Sequence, residues 1–323
     1  MTTQLYTAEF VSPGHPDKIC DYIADAILDA YRVLDPSTRG AIEVMGGHGV
    51  IKINGEIRSH ADVDIDAMVA DIVGPDMQRI IAVAEQSTQI AQGVDTGGAG
   101  DQGIMIGYAC SDTPNHMPYE YELARGLCQH IYNEFPFDGK TQITVERDGA
   151  VWTVKTVVAS FQNAPRHRLL ELAQEFVPNA DRYIINPAGD WDIGGFEADA
   201  GLTGRKIVVD AYGPRVPVGG GAFSGKDHTK VDRSGAYMAR KIAVDILKKE
   251  SADEVMVKLA YAIGERDPVK AIAIIDGHER TLEGYDLSPQ GIHDALELGS
   301  MIYADTARWG HFGRGHFSDD STA

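Results

Sequence analysis

The stretch Gly219-Gly220-Gly221-Ala222-Phe223-Ser224-Gly225-Lys226-Asp227 separates two possible architectures for this chain. Its glycines and lysine satisfy the G-x-x-x-x-G-K spacing of a P-loop, which binds phosphates between a strand and a helix. The residue after Lys226 is Asp227, however, where a P-loop needs Ser or Thr to hold magnesium. The next predicted helix begins only near Asp232, so Lys226 would not lie in its first turn. The stretch therefore predicts polyphosphate binding by another architecture.

Hydrophobic periodicity on both sides of this stretch indicates long helices mixed with hairpins. Apolar residues at helical spacing predict helices over residues 17–34, 62–73, 118–135, 165–176, 232–249 and 288–298. Strands are predicted over residues 41–45, 49–53, 56–59, 79–84, 104–109, 141–147, 150–160, 182–185, 206–212, 255–263 and 269–276. Asn54-Gly55 and Asp148-Gly149 are strong signals for two-residue hairpin turns. Because the pattern lacks regular βαβ alternation, it favours an α+β fold over a doubly wound sheet.

Length and composition describe an ordinary globular protein. The 323 residues suffice for a large core and suggest about two domains of roughly 150 residues. No run approaches the roughly 20 apolar residues of a membrane helix, and the N-terminus lacks the features of a signal peptide. Cys20, Cys110 and Cys128 show no C-x-x-C spacing, which predicts reduced thiols in a cytoplasmic protein, each a small core residue.

The formal net charge of −19 argues against nucleic acid and anionic membranes as partners, because both carry negative charge. The same charge repels a triphosphate, so a site for one must gather local cations. Basic residues are bunched at Arg205-Lys206, Lys226, Lys230 and Arg233. Such bunching also occurs by chance on a solvated surface; the surrounding glycines favour a binding role here.

The segment Gly14-His15-Pro16-Asp17-Lys18 precedes the first predicted helix. A helix N-terminus offers free N–H donors and a positive dipole end, which together attract anions. His15 could donate to a phosphate or leaving oxygen, and Asp17 could hold a hard cation. Taken alone, the pentapeptide favours a simpler interpretation in which Asp17 interacts with the helix dipole and His15 is a turn residue.

Further candidates flank the glycine stretch. Arg205 could hold phosphate oxygens in a planar fork, with Lys206 as an added charge, although a glycine-rich turn with a surface Arg-Lys pair is the alternative. Asp199 could accept from ribose hydroxyls or a substrate ammonium. Trp191 offers a flat face for a base, with core packing as the default.

Two carboxylates could belong to cation sites. Asp232 could complement Asp17, because magnesium with substrate phosphates takes only one or two protein carboxylates. Glu43, within an apolar strand, either faces solvent, the commoner case, or is buried with a cation.

Taken together, these motifs resemble those of the methionine adenosyltransferase (S-adenosylmethionine synthetase) family. The resemblance spans nearly the whole chain and rests on the segments 14–18 (GHPDK), 98–103 (GAGDQG), 201–206 (GLTGRK), 219–227 (GGGAFSGKD), 230–234 (KVDRS) and 310–314 (GHFGR). One such motif alone would be weak evidence, but six in the family's order are highly specific.

The resemblance implies three similar α+β domains about a pseudo-threefold axis, expected at residues 1–97, 98–191 and 192–323. It implies synthesis of S-adenosyl-L-methionine from ATP and L-methionine, with triphosphate as leaving group and then hydrolysed to phosphate and pyrophosphate. Two Mg²⁺ ions per site and one K⁺ per subunit are implied as cofactors. So is a homodimer, or a dimer of dimers, with active sites between subunits.

Site residues are carried over by position in the matching motifs. The catalytic group implied by the resemblance comprises His15, Lys140, Arg205 and Lys226. ATP contacts are implied for His15, Asp138, Lys140, Trp191, Asp199, Arg205, Lys206, Ala222 and Lys226. Methionine contacts are implied for Glu56, Gln92, Asp101, Asp199 and Lys230. Metal ligands are implied at Asp17 and Asp232 for Mg²⁺ and at Glu43 for K⁺.

Two alternatives and two departures accompany this interpretation. A P-loop ATPase or kinase would need Ser or Thr at position 227, and a member that binds without turnover would be expected to lack Lys226, Asp17 or Lys140. The segment 92–103 is shorter than the family's usual mobile gate, and Asp190 stands where the bacterial pattern carries Arg. The shorter gate predicts less dependence on loop closure.

Overall fold

The computed structural model describes residues 3–85 and 97–317. The strands within these residues are β1 (Gln4–Val11), β2 (Arg39–Gly47), β3 (Val50–Arg58), β4 (Gln78–Glu85), β5 (Gly103–Cys110), β6 (Gly139–Asp148), β7 (Val151–Phe161), β8 (Arg182–Ile185), β9 (Gly201–Leu202), β10 (Glu254–Tyr261), β11 (Lys270–Ile275) and β12 (His278–Thr281). The helices of the same residues are α1 (Pro16–Leu34), α2 (Ile65–Val73), α3 (Tyr119–Tyr132), α4 (Arg166–Phe176), α5 (Gly195–Ala198), α6 (Ile207–Asp210), α7 (Val231–Glu250), α8 (Pro289–Leu296) and α9 (Thr306–Trp309).

The strands form three four-stranded sheets, in the orders β4-β3-β2-β9, β8-β7-β6-β1 and β12-β11-β10-β5. Each sheet takes three strands from one continuous part of the chain and one antiparallel strand from a distant part. The three imported strands are β9, β1 and β5. The sheets are therefore interlocked, and each adds an element to a neighbour.

One long helix covers each sheet at the junction with its imported strand. Helix α1 packs on β2 and β9, α3 packs on β1 and β6, and α7 packs on β5 and β10. The inner faces of these helices are apolar, as with Ile23 and Ile27 in α1, and they fill two hydrophobic cores. This threefold repetition of helix and sheet confirms the predicted three-part α+β architecture. None of the helices in the described ranges combines the length and apolar character that crossing a bilayer requires.

The predicted turn at Asn54-Gly55 is wrong. Strand β3 continues through both residues, and the β2–β3 turn lies at positions 47–50. Gly55 has a φ of +135°, and a Cβ there would lie 2.1 Å from the carbonyl oxygen of Ala41 on the neighbouring strand. The glycine therefore serves a close approach of two strands and not a turn. The predicted hairpin between β6 and β7 is confirmed, with its two-residue turn at Gly149-Ala150, one position later than predicted.

Two other expectations need correction. The apolar run 206–212 is not a strand; it contains the short helix α6, which is followed by buried, irregular chain. Parallel βαβ units do occur, because α2 connects β3 to β4 and α4 connects β7 to β8. The sequence pattern does not reveal them, because each parallel pair lies in a sheet that is otherwise antiparallel.

Candidate active site

The turn before α1 places an uncharged histidine at the N-terminus of that helix. His15 is the N-cap residue, and its Nδ1 accepts a hydrogen bond from the backbone N–H of Asp17 at 3.1 Å. The ring proton therefore lies on Nε2, which can donate to a ligand. Burial, followed by the charges of Lys206 and Lys140, lowers the pKa of His15 to about 4. His15 is thus a neutral hydrogen-bond donor near pH 7.

Asp17 is almost fully buried in the first turn of α1. Its Oδ1 accepts the backbone N–H of Leu202 at 2.9 Å, and its Oδ2 accepts the Lys206 ammonium at 2.5 Å. Burial raises the pKa of Asp17, but the hydrogen bonds from Lys206 and Leu202 bring it below its ordinary value. The Nε of Arg205 lies 3.7 Å from Oδ1. The segments 14–18 and 201–206, which were considered separately as phosphate-binding candidates, thus meet at the Asp17 carboxylate.

The ends of β6 and β7 form a second wall. The indole Nε1 of Trp191 donates to Ser160 Oγ at 3.1 Å, and Ser160 lies opposite Lys140 in the ladder between these strands. Just before β6, Asp138 accepts the backbone N–H of Gly195 through Oδ2 at 3.1 Å. Burial raises the pKa of Asp138, against that hydrogen bond and the charge of Lys140. A flat aromatic ring, an ammonium and a carboxylate are therefore held by the same strand ends.

Asp199 completes this set. It follows α5, is exposed, and accepts the backbone N–H of Ala200 through Oδ1 at 2.7 Å. Its charge acts on both His15 and Asp138, which places it close to them. The set is termed the His15 group, and its members are His15, Asp17, Asp138, Lys140, Trp191, Asp199, Arg205 and Lys206.

A second set of candidates surrounds Lys226. Its ammonium lies 2.6 Å from Oδ2 of Asp232 in the first turn of α7, and its backbone pairs with Ala41 of β2. Glu43 follows two residues later on the same strand. The carboxylate of Glu43 reaches solvent, yet partial loss of hydration raises its pKa, against the opposing charge of Lys226. Glu43, Lys226 and Asp232 are termed the Lys226 group.

Ala222 lies between the two groups. A Cβ at Gly204, next to Arg205, would lie 2.6 Å from the Cβ of Ala222, so the two backbones are in close contact. Across residues 3–85 and 97–317, no hydrogen bond or ion pair runs directly from one group to the other. The structure therefore assembles two charged sets, and the glycine stretch, which carries Lys226, contacts the segment that carries Arg205.

Close packing requires glycine in the stretch 219–227, in addition to the uncovered backbone N–H groups that glycine provides. A Cβ at Gly219 would lie 1.6 Å from the carbonyl oxygen of Ile104, and one at Gly221 would lie 2.1 Å from the Asp232 carboxylate. Gly220 has a φ of +106° and open space around it. At Gly219 and Gly221 the stretch thus approaches β5 and Asp232 too closely for a larger residue.

Asp227, which excluded a P-loop, is a structural residue. It is fully buried, accepts the backbone N–H of Gly40 at 2.7 Å, and binds the Lys230 ammonium at 2.6 Å. Lys230, a candidate methionine contact, is therefore already paired with a carboxylate. The contacts tie the end of the glycine stretch to β2.

The other methionine candidates lie near the Lys226 group or outside the described residues. Glu56 is half-buried on β3 and pairs with Ala41, which also pairs with Lys226. Asp101 is exposed and accepts the backbone N–H of Gln102 at 2.8 Å. Gln92 lies in the segment 86–96, which falls outside the described residues.

The candidate magnesium ligands fit a shared metal–phosphate site better than a metal cage. Asp17 and Asp232 each pair with one lysine, and no cluster of three or more metal-binding side chains occurs in the part of the chain that the structure describes. Magnesium bound through substrate phosphates needs only one or two carboxylates. The donor set is therefore suitable for ions that arrive together with a polyphosphate.

Sequence reasoning missed a row of buried aspartates on α1. They recur every fourth residue and therefore share one helix face, and each accepts a backbone N–H from residues between 202 and 304. The four acceptor and donor pairs are Asp17 with Leu202, Asp21 with Gly204, Asp25 with Gly225, and Asp29 with Ala304. The four-residue spacing was visible in the sequence, but only the fold shows that Asp17, Asp21 and Asp25 on this face meet segments predicted to bind phosphate.

The departure at Asp190 also has a structural explanation. Its Oδ1 accepts from the side-chain amide of Asn186 at 2.9 Å, and its Oδ2 accepts the backbone N–H of Arg166 at 3.3 Å. Arg166 is the first residue of α4, so Asp190 interacts with the N-terminus of that helix. The contacts hold the loop that carries Trp191. All three cysteines are buried and unpaired, as predicted.

Comparison with known proteins identifies relatives along the whole chain. Three family models match: the S-adenosylmethionine synthetase N-terminal domain at residues 3–87, its central domain at 96–191 and its C-terminal domain at 193–321. An S-adenosylmethionine synthase of Paramagnetospirillum magneticum is 40% identical over 98% of this chain and 94% of its own length. One from Petrotoga mobilis is 39% identical over 97% and 94%, and one from a Nitratiruptor species is 40% identical over 96% and 93%.

Proposed function

Because the chain belongs to the S-adenosylmethionine synthetase family, we propose that it converts ATP, L-methionine and water into S-adenosyl-L-methionine, phosphate and pyrophosphate. It is a transferase of the methionine adenosyltransferase type. The observation that carries the proposal is the His15 group, which gathers a neutral donor and three cations at one helix N-terminus in an otherwise acidic protein.

The first step is displacement at the ribose. The methionine sulfur attacks C5′, the S–C5′ bond forms, and the C5′–O5′ bond breaks with its electron pair leaving on triphosphate. Sulfur is a neutral nucleophile here and needs no general base. The protein must therefore stabilise negative charge that grows on the departing triphosphate, and preplaced donors do so effectively.

The two groups divide this task. His15 donates from Nε2 near O5′, and Lys140, Arg205, Lys206 and Lys226 neutralise the phosphate oxygens. Trp191 stacks on adenine, Asp199 binds ribose hydroxyls or the methionine ammonium, and Asp138 and Ala222 complete the nucleotide site. The same cations then assist hydrolysis of the enzyme-bound triphosphate.

Methionine binds beside the Lys226 group in this proposal. Glu56, Asp101 and Asp199 supply negative charge for its ammonium, and Lys230 and Gln92 supply further contacts. Lys230 is also paired with Asp227, so it acts from a fixed position.

Metal ions belong to the same proposal. Asp17 and Asp232 would hold two Mg²⁺ ions together with the phosphates, and Glu43 would hold one K⁺ per subunit. Bound magnesium supplies positive charge to the triphosphate oxygens. On binding, Lys206 and Lys226 exchange their carboxylate partners for phosphate.

A homodimer with active sites between subunits, or a dimer of such dimers, suits the exposed face of the sheet β4-β3-β2-β9. Met45, Val50, Ile80 and Leu202 lie on the face that carries Glu43 and Glu56, and they are 37–56% exposed. Four exposed apolar side chains on one sheet face, interspersed with charged and polar ones, favour an interaction surface. Sedimentation of the full chain should give a dimer or tetramer mass. The buried free thiols suit a cytoplasmic enzyme.

Turnover with ATP, methionine, Mg²⁺ and K⁺ tests the proposal directly. Chromatography should show one S-adenosylmethionine formed for each ATP consumed, with phosphate and pyrophosphate in equal amounts. ATP loss that does not depend on methionine would support an ATPase instead. Tight binding of both substrates without product would show a member of the family that binds but does not react.

A further inference from the structure

A buried lysine holds two carboxylates beneath the His15 group. The Lys18 side chain has no exposed surface; its ammonium donates to Asp21 Oδ2 at 3.2 Å and to Asp210 Oδ1. Asp21 and Asp210 are 1% and 3% exposed. Burying three charged groups carries a large desolvation cost, and well-packed apolar residues would often stabilise a fold equally well. The arrangement therefore invites a role beyond stability.

The three residues fix both ends of a short segment to α1. Asp21 also accepts the backbone N–H of Gly204 through Oδ1 at 2.9 Å. Asp210 ends α6, and its backbone N–H donates to the carbonyl of Lys206 at 2.7 Å. Residues 204 and 210 are thus both attached to one helix, and Arg205 and Lys206 lie between them.

Arg205 depends on this attachment for its position. Its side chain is 56% exposed, and its ion pair with Asp17 is long, at 3.7 Å. Such a weak contact cannot fix an exposed side chain, so the backbone must place the guanidinium. The helix that anchors the backbone also carries His15 and Asp17 at its N-terminus.

We propose that Lys18, Asp21 and Asp210 form a clamp that holds Arg205 and Lys206 in register with His15, and that all three are positioning residues for triphosphate departure. The proposal rests on the proposed function. Small displacements of groups that contact the transition state carry a large loss of rate, and fixing the segment in advance avoids that loss. The three residues are termed the Lys18 clamp.

Asp210→Ala and Asp21→Ala each release one end of the clamp. Either variant leaves Lys18 with one carboxylate, a neutral buried pair, so both should fold. We expect kcat to fall about 10- to 100-fold and the affinity for inorganic tripolyphosphate to weaken by a similar factor. The KM for methionine should stay within about twofold, because its proposed contacts, among them Glu56, Asp101 and Lys230, lie outside residues 204–210. Asp210→Asn and Asp21→Asn, which keep the shape, should recover most of the loss.

Asp29→Ala provides the matched control. Asp29 lies on the same face of α1, accepts the backbone N–H of Ala304 at 2.8 Å, and pairs with Arg32 at 3.0 Å. Its loss should lower Tm as much as the clamp variants do, without changing kcat or tripolyphosphate affinity. If the clamp variants behave like Asp29→Ala and lose only thermal stability, the proposal is wrong.

Hydrogen exchange of the unmodified protein gives a test without variants. The amides of residues 204–210 should be protected before any ligand is added; exchange at the rate of an open loop would overturn the clamp. If the unmodified protein binds tripolyphosphate but makes no S-adenosylmethionine, the proposed function is wrong. The tripolyphosphate affinities of the variants would still test the clamp in that case. Failure of the unmodified protein to bind tripolyphosphate at all would overturn the clamp itself.

Discussion

Two lysines occupy the places where the candidate metal ligands would meet a cation. Lys206 binds Asp17 at 2.5 Å, and Lys226 binds Asp232 at 2.6 Å. Each pair keeps a carboxylate ordered and its charge balanced before substrate arrives. In the proposed function, a triphosphate would bind the two lysines, and the two carboxylates would hold Mg²⁺. The four side chains thus form two ion pairs and are not unpaired charges.

Lys226→Met should abolish synthesis and leave the fold intact. The change removes one charge from the proposed triphosphate site and keeps the length of the side chain, so a loss of about 10²–10³-fold in kcat is expected. Lys155→Met is the control, because Lys155 pairs with Asp181 at 2.5 Å on a half-buried part of β7 and belongs to neither charged group. Product formation by Lys226→Met at the control's rate would refute the assigned role.

The free energy of unfolding should depend on Asp210 in a pH range set by its environment. Burial and the neighbouring Asp21 raise the pKa of Asp210 from 3.8 to about 7, although Lys18 opposes the shift. Tyr121 also lies within range of its charge. Between pH 3.8 and about 7, the folded chain keeps a proton on Asp210 that the unfolded chain has lost. The stabilisation that comes from this proton is therefore present at low pH and is lost as the pH rises towards 7.

Asp210→Asn cannot titrate and therefore removes that dependence. Denaturant unfolding at pH 5 and pH 8 should show the wild-type chain losing stability relative to the variant as pH rises, by on the order of 1 kcal/mol. An equal stability difference at both pH values would contradict the raised pKa.

Among the strands and their connections, glycines mark close packing as well as turns. The dipeptide Asn54-Gly55 has the composition of a hairpin turn, yet it lies in the middle of β3. The real turn contains Gly47 and Gly49, which have φ values of +157° and +82°. Local composition could not distinguish these cases, because a strand that needs a close neighbour and a turn that needs a positive φ both require glycine.

Gly55→Ala should therefore destabilise the protein more than Gly49→Ala. Both positions have positive φ, but a Cβ at Gly49 would meet nothing within 4 Å, whereas one at Gly55 would meet the Ala41 carbonyl. Overpacking of this kind costs about 1–3 kcal/mol beyond the shared backbone strain. Chemical denaturation of the two variants measures the difference; equal losses would show that the strands separate readily.

Across the molecule as a whole, the three sheets exchange strands in a cycle. Strand β1 joins the sheet of β6, β5 joins the sheet of β10, and β9 joins the sheet of β2. The three family-model matches divide the chain so that every imported strand comes from a different match than the sheet it joins. Each sheet is therefore complete only when two of the matched segments are present.

A fragment of residues 98–191 should consequently fail to fold alone. It would lack β1 at one edge of its sheet, and its β5 would have no partner, leaving exposed strands that favour aggregation. Circular dichroism and amide proton dispersion would show an unfolded or aggregated chain, whereas the full chain should unfold in one cooperative transition. A fragment with sharp, reversible unfolding would contradict the importance of strand exchange.

Local periodicity and fixed spacing were enough to predict the long helices, the α+β class, the exclusion of a P-loop and the motifs of the family. The apolar pattern of α1, for example, predicts that helix to within one residue of its bounds. The pairing of strands between sheets, the role of Gly55 and the meeting of Asp21 and Asp210 at Lys18 emerged only from the folded chain. Lys18 and Asp210 are 192 positions apart, and one-dimensional patterns carry no information about such pairings. The sequence alone was therefore enough to predict the chemistry, whereas the contacts that position the candidate residues became visible only in the tertiary structure.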